Sequence, residues 1–376
     1  MQKANALYIH VPFCATKCYY CDFNTYTFHK DQAEAFIDAL AVEMALYASQ
    51  ACSLKTVFLG GGTPSILSPS ALERLFSDIR SNFRLHSDAE VTVECNPGTV
   101  DPEKLDVFRR VGVNRLSFGV QAMDDETLRS LGRIHKVKHV LHSYYLAREV
   151  GFDNINLDLI FALPNQTLHH WRYTLRETIV LQPDHISAYN LTLEEGTPFY
   201  EWHQAGKLKK ASNDLEAAMY ETTIETLTGA GFGHYEISNF AKPGRTAKHN
   251  LVYWNNEPYV GLGPGACGYV NGVRYTNVRS VPGYVRSLAQ GETPVAETEQ
   301  LTGRDEKAET LILGLRKREG VCHEAYQSRF GEPIDAAFRD VVRKWLNLEL
   351  LTWQGNNLRL TDAGLMVANE VFMSFL

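Results

Sequence analysis

Three cysteines stand within eight residues near the N-terminus, in the run Cys14-Ala-Thr-Lys-Cys18-Tyr-Tyr-Cys21. Three thiolates on one short loop can hold three irons of a [4Fe–4S] cubane and leave the fourth iron without a protein ligand. An open metal position suits ligand binding or catalysis, whereas closed four-ligand sites are usually structural. A small molecule carrying neighbouring amino and carboxylate groups could chelate that iron. The rival reading is a structural zinc completed by His10 or His29, but C-x3-C-x2-C is an unusual zinc spacing. Phe13, Tyr19, Tyr20 and Phe23 flank the loop, where they would pack it, exclude water and tune a cluster's potential. Seven cysteines in all point to metal binding and free thiols rather than a disulfide framework. Of the other four, Cys52, Cys95 and Cys322 read as bystanders, and Cys267, in Gly263-Pro-Gly-Ala-Cys-Gly268, is left open.

A second chemical signal is Gly60-Gly61-Gly62-Thr63-Pro64, where bare backbone can approach a ligand closely. Glu94, Gln121 and Asp158 form a third, each interrupting an apolar run near its C-terminal end. The elements that must carry them alternate regularly. Apolar runs at Ala6–Pro12, Thr56–Leu59, Glu90–Cys95, Arg115–Val120, Ile155–Leu163 and His185–Leu191 predict strands. Between them lie amphipathic segments such as Phe36, Ile37, Leu40, Met44 and Tyr47, and Leu72, Leu75, Phe76 and Ile79. Ser68, Asp101 and Asp124 stand as N-caps. Six β–α alternations imply an α/β fold with parallel strands, barrel-like or doubly wound, whose active site sits at the strands' C-terminal edge.

After Gly206 the pattern changes. A helix is expected over Asp214–Gly231, then short strands and loops from Gly233 to Gly291. From Arg304 the chain turns helical and ends in helix Ala336–Leu348, strands Leu350–Trp353 and Leu358–Leu360, and a helix capped by Thr361. That order suggests a winged-helix-like unit. The expected division is 1–205, 206–303 and 304–376.

The composition bounds the partners. The 376 residues carry a formal net charge of −7 with both signs intermixed. Such a surface disfavours nucleic acid, and Lys207-Leu208-Lys209-Lys210 reads as a solvated face. No stretch approaches the roughly 18–20 apolar residues of a membrane span, and Met1 to Ala6 is polar and unlike a signal peptide. A cytoplasmic protein is expected, with at most peripheral membrane association.

The cysteine run is the signature of the radical S-adenosylmethionine (SAM) superfamily. Tyr8-Ile-His-Val-Pro-Phe-Cys14, Cys18-Tyr-Tyr-Cys21-Asp-Phe23, Gly60–Ser65, Glu94-Cys-Asn-Pro-Gly-Thr99, Ser117-Phe-Gly-Val-Gln121 and Leu131-Gly-Arg-Ile-His135 together resemble the HemW family of heme chaperones. The resemblance continues through Asn156-Leu-Asp-Leu-Ile160, Ala241-Lys-Pro-Gly244, His249-Asn-Leu-Val-Tyr-Trp254 and Leu360-Thr-Asp-Ala-Gly364, so it spans nearly the whole chain. It implies a partial (β/α)6 TIM-like barrel with an accessory α+β region. By position, Tyr8, Gly61, Gly62, Thr63, Glu94, Gln121, Arg133 and Asp158 would contact SAM, with Cys14, Cys18 and Cys21 on a [4Fe–4S] cluster. Arg133 would pair with the methionyl carboxylate, while Gln121 and Asp158 would hold ribose hydroxyls.

The resemblance also implies heme as ligand, with His249 as axial ligand and Tyr253 as wall, since a spacing of four sets both on one face of a strand or helix. Heme-accepting respiratory-chain proteins are the implied recipients, with SAM and the cluster gating transfer or homodimer formation. The alternative is a radical enzyme acting on a porphyrin, an oxygen-independent coproporphyrinogen III oxidase or a heme-modifying enzyme. It would need a low-potential donor such as flavodoxin or ferredoxin. The oxidase branch carries a further cysteine two positions after the third, where this chain has Phe23. The HemW family usually has histidine where this chain has Cys267, which either substitutes as a thiolate or marks a changed site.

Overall fold

The computed structural model describes residues 3–376. Six parallel strands form its centre: β1 (Ala4–Val11), β2 (Ala51–Gly61), β3 (Leu85–Cys95), β4 (Arg115–Gln121), β5 (Ile155–Phe161) and β6 (His185–Asn190). They neighbour one another in chain order, each reached through a helical crossover. A doubly wound sheet would reverse order at its centre, and this one does not. Tyr8, Phe58, Glu94, Ser117, Asp158 and Ser187, one from each strand, line a single cavity, so the sheet curls into a partial barrel. The period-two alternation turns these residues inward and sets Leu7, Val57, Leu59, Val93, Leu116 and Leu157 against the outer helices, all of them buried.

Local chemistry marks the helix starts. Ser68 accepts from the amide of Ala71, Asp101 from Lys104 and Asp124 from Thr127, the three caps expected. The helices Lys30–Tyr47 and Pro69–Asn82 bury the apolar positions read from their spacing.

The accessory region extends this body. Helix Asn213–Gly229 packs on the outside, and strands Asn239–Ala241 and Gly233–Glu236 continue the sheet beyond β6, the first antiparallel to it. Val260–Leu262 returns to pair in parallel with β1 at the opposite edge. One apolar core therefore runs from Ala4 to Leu288, across the boundary expected near 206. The stretch 233–291 also holds two helices that its Gly, Pro and Asn content concealed, Lys248–Trp254 and Val281–Ala289.

The C-terminal unit has its own core, from Ala308 to Phe375. Its three-stranded sheet orders Val321–Cys322, Asn357–Leu360 and Leu351–Gln354, followed by a helix that Thr361 caps. The helix expected over Ala336–Leu348 is two pieces, Ile334–Ala337 and Arg339–Asn347, because Phe338 leaves helical geometry at φ −131°, ψ 40°. No helix among the described residues is long and apolar enough to cross a membrane.

Candidate functional site

The cysteine loop is held by its neighbours before any ligand is considered. Phe13–Cys14 pairs in parallel with Tyr26–Thr27, and Tyr19 is clamped on both sides, its amide donating to the Leu131 carbonyl and its carbonyl accepting from the Phe199 amide. The glycine loop lies against it. The amides of Gly62 and Thr63 each donate at 2.8 Å, to the carbonyls of Val11 and Phe13. These glycines are obligatory. A Cβ at Gly62 would stand 2.6 Å from the Phe13 carbonyl oxygen; at Gly61, where φ is +103°, it would strike the His10 ring at 2.6 Å.

Above the barrel's C-terminal edge lies a cavity of about 500 Å³. Cys14, Cys18, Cys21, Gly61, Gly62, Glu94, Gln121, Arg133 and Asp158 all line it. Nine of the thirteen residues expected in sites thus meet in one place. Gln121, at the end of β4, is left-handed at φ 69°, a conformation a non-glycine residue adopts at some cost and one that recurs at binding sites.

A chain of polar contacts joins two of the thiols. Cys14 Sγ lies 3.4 Å from Thr63 Oγ1, which accepts from Asn96 Nδ2 at 2.7 Å. Asn96 Oδ1 accepts from Arg133 Nη2 at 2.6 Å, and Arg133 Nη1 points at Cys18 Sγ at 3.4 Å. Arg133 also donates to the Gly119 carbonyl, yet its Nε is buried without a partner. Arg133 is therefore no surface arginine: its guanidinium is tied into the wall of the cavity. Thr63 stands behind the wall rather than on it.

The acids are set apart by their surroundings. Enclosure, and then the neighbouring Asp158, pushes Glu94 up to about 8, while its Oε2 accepts from the Gly61 amide at 3.1 Å. Asp158 is held by Ser117 Oγ on one oxygen and Asn156 Nδ2 on the other, at 2.9 and 2.8 Å. Burial also raises Cys14, and lifts Cys21 to about 11. Among the described residues no three His, Cys, Asp or Glu side chains converge on a single-ion site. The three cysteines instead line a cavity with room for a larger group, and the donor set, three soft thiols on one loop, suits iron and sulfide.

Tyr8, His249 and Tyr253 lie elsewhere. Helix Lys248–Trp254 sits across the N-terminal end of the barrel, its first amides donating to both oxygens of Glu90 at 3.0 Å. His249 is 1% exposed. Its Nδ1 bonds Thr56 Oγ1 and its Nε2 bonds the Tyr253 hydroxyl, both at 2.8 Å. An axial ligand needs a free ring nitrogen facing a cavity, and here both nitrogens are engaged. In this structure His249 holds Thr56 and Tyr253, and neither ring nitrogen is free for the ligation expected. Tyr8 and Tyr253 instead share a lateral cavity of about 320 Å³ with His10, Phe23, Tyr259 and Cys267. Cys267 is exposed there; Cys95 is buried, with the cysteine cavity reaching its residue, and Cys52 is exposed and lines neither cavity.

Asn96, Ser117 and Asn156 hold the site together and were not singled out from sequence. All three fall inside the quoted Glu94–Thr99, Ser117–Gln121 and Asn156–Ile160 motifs, which was the available signal.

Comparison with known proteins decides the family. A profile of the radical SAM superfamily matches residues 8–178, and one of the HemN C-terminal domain matches residues 301–367. Heme chaperone HemW of Bacillus subtilis (strain 168) is 41% identical over 98% of this chain and 98% of its own length. The chain belongs to the HemW family. Heme chaperone HemW of Lactococcus lactis subsp. lactis (strain IL1403) is 37% identical, covering 100% of this chain and 98% of that protein. The mitochondrial radical S-adenosyl methionine domain-containing protein 1 of Danio rerio is 35% identical over 97% of the chain and 84% of its own length. The Escherichia coli coproporphyrinogen III oxidase HemN shares the fold at a TM-score of 0.86 and 24% identity, over 100% of this chain and 90% of that one. The HemN C-terminal domain match falls on the part of this HemW-family chain that has its own core.

Proposed function

We propose that this HemW-family chain binds a [4Fe–4S] cluster, SAM and heme, and hands heme to hemoproteins of the respiratory chain. The observation that carries the cofactor reading is the single cavity onto which three thiols, two obligatory glycines and Arg133 open. Cys14, Cys18 and Cys21 would hold the cluster, which would supply electrons for cleaving SAM. Around it the chain's own groups bind and orient. Arg133 aligns the methionyl carboxylate. Glu94, neutral when the site is empty, gives up its proton to face the cationic end of SAM. Asp158, its two oxygens already oriented by Ser117 and Asn156, accepts from ribose hydroxyls, with Gln121 beside it.

The heme part rests on the HemW relatives, on Phe23 in place of a further cysteine, and on the lateral cavity. There Tyr253 forms a wall, held by His249 from behind, and Cys267 offers a thiolate where the family usually has histidine. Heme ligation by His249 itself would require Tyr253 to release Nε2. SAM and the cluster would gate transfer or homodimer formation, and the site would lie in the cytoplasm.

One anaerobically reconstituted sample tests the reading. Expected are about four irons per chain, a heme-dependent visible spectrum, and transfer of that heme to an apo-hemoprotein. Decarboxylation of coproporphyrinogen III with SAM and reduced flavodoxin or ferredoxin would replace the chaperone reading with the oxidase one. A zinc-only metal analysis would overturn both.

A further inference from the structure

Below the cysteine cavity, inside the barrel, lies a smaller one of about 190 Å³, and Arg115 stands in its wall. Arg115 is 2% exposed, its Nε is sealed without a partner, and among the described residues its guanidinium makes no hydrogen bond or ion pair. A buried charge left so is costly. On the adjacent strand, in register beside it, Thr92 Oγ1 is likewise buried and unpartnered. The nearby acids make no hydrogen bond to Arg115, although Glu94 and Asp158 line the same cavity. Glu90 is taken by two backbone amides, and both oxygens of Asp158 accept from Ser117 and Asn156. Glu94, shared by both cavities, is neutral below about pH 8. His185 and His249 are held neutral too, by burial and then by Arg115. Arg115 is thus a buried cation without a hydrogen-bond partner, facing enclosed space.

We propose that this floor is a carboxylate site, in which Arg115 receives one acid group of a ligand reaching down from the chambers above. The space equals roughly six waters, enough for a short aliphatic acid arm and not for a macrocycle. Four wall residues, Glu94, Ser117, Asp158 and Tyr189, are common to it and the cysteine cavity, while Tyr8 and Tyr253 are common to it and the lateral one. The identification of that arm as a heme propionate rests on the function proposed above; the carboxylate chemistry does not.

The experiment titrates reconstituted protein with heme and with heme dimethyl ester, followed by visible spectra, and with sodium propionate, followed by thermal shift. Wild type should prefer heme to the diester by about ten- to a hundredfold, the worth of one charge-assisted hydrogen bond. Arg115→Met should erase that preference, and Arg115→Lys should keep part of it, with iron content unchanged. If heme does not bind at all, the heme reading fails and propionate decides. Stabilisation of wild type but not Arg115→Met upholds a carboxylate site, and stabilisation of neither overturns it. Equal binding of heme and its diester by wild type overturns the proposal even if the variants fail to fold.

Discussion

Replacing His249 by Ala should cost about 4 kcal/mol of folding stability, through contacts that have nothing to do with iron. Truncation strands two buried hydroxyls, those of Thr56 and Tyr253, each at about 1–3 kcal/mol. It also removes the ring stacked on Phe58 at 5.2 Å between centroids and set edge-on to Tyr253 at 5.0 Å, pairs worth about 0.5–1.5 kcal/mol each. Contacts of a single ring do not add fully, which places the sum toward the low end of that span. A pH signature accompanies the loss. Burial, and then Arg115, lowers the imidazole to about 3, whereas the unfolded chain protonates near the ordinary 6.5. Between those values the unfolded state binds the extra proton, so this ring's contribution is complete above about pH 6.5 and fades as the pH falls. Urea unfolding followed by circular dichroism, from pH 4.5 to 8, reads both effects. The variant should unfold earlier at neutral pH and lose about one proton's worth of pH slope below 6.5. Iron content should persist, because the cysteine loop lies at the barrel's other end. A variant with wild-type midpoint and slope would refute the positioning role and free the imidazole for heme.

Serine at Cys14, Cys18 or Cys21 should abolish iron binding, while Cys95→Ser, a change at a buried thiol apart from the cavity's loop, should leave about four irons per chain; iron analysis after reconstitution decides. Gly62→Val should cost the cluster as well as SAM, since its Cβ meets the Phe13 backbone one residue before Cys14. Full iron in a well-folded variant would show that the loop yields there. SAM affinity should rise with pH up to about 8, because a Glu94 that is neutral when the site is empty must shed its proton to meet a cation. Calorimetry at pH 6.5, 7.5 and 8.5 should show that rise in wild type and a flat profile in Glu94→Gln.

Much of the barrel was legible because its chemistry is local. Strands buried on both faces read as apolar runs, Ser68, Asp101 and Asp124 announce helices with their own side chains, and a thiol triplet within eight residues needs no tertiary information. What remained hidden depends on partners distant in sequence. That His249 faces Thr56 and Glu90 faces the first turn of helix Lys248–Trp254 depends on contacts across 193 and 159 residues, which no spacing rule encodes. The role of Asn96 emerges only when Thr63 and Arg133 close around it. Arg115 opens a strand and reads as an edge charge until the fold encloses it. The break at Phe338 lacks the Gly or Pro that would have marked it.

The pairing of β1 with Val260–Leu262 bears on how the chain is made. During synthesis β1 keeps an open edge until residue 262 has left the ribosome, and the barrel's floor stays unplugged until helix Lys248–Trp254, which emerges just before it, has formed. For that interval the nascent chain presents unpaired backbone beside a half-built core, the surface on which strands from different chains associate. A fragment ending near residue 205 would keep that exposure permanently, so emergence of residues 248–262, rather than completion of the six barrel strands themselves, is the step that removes it.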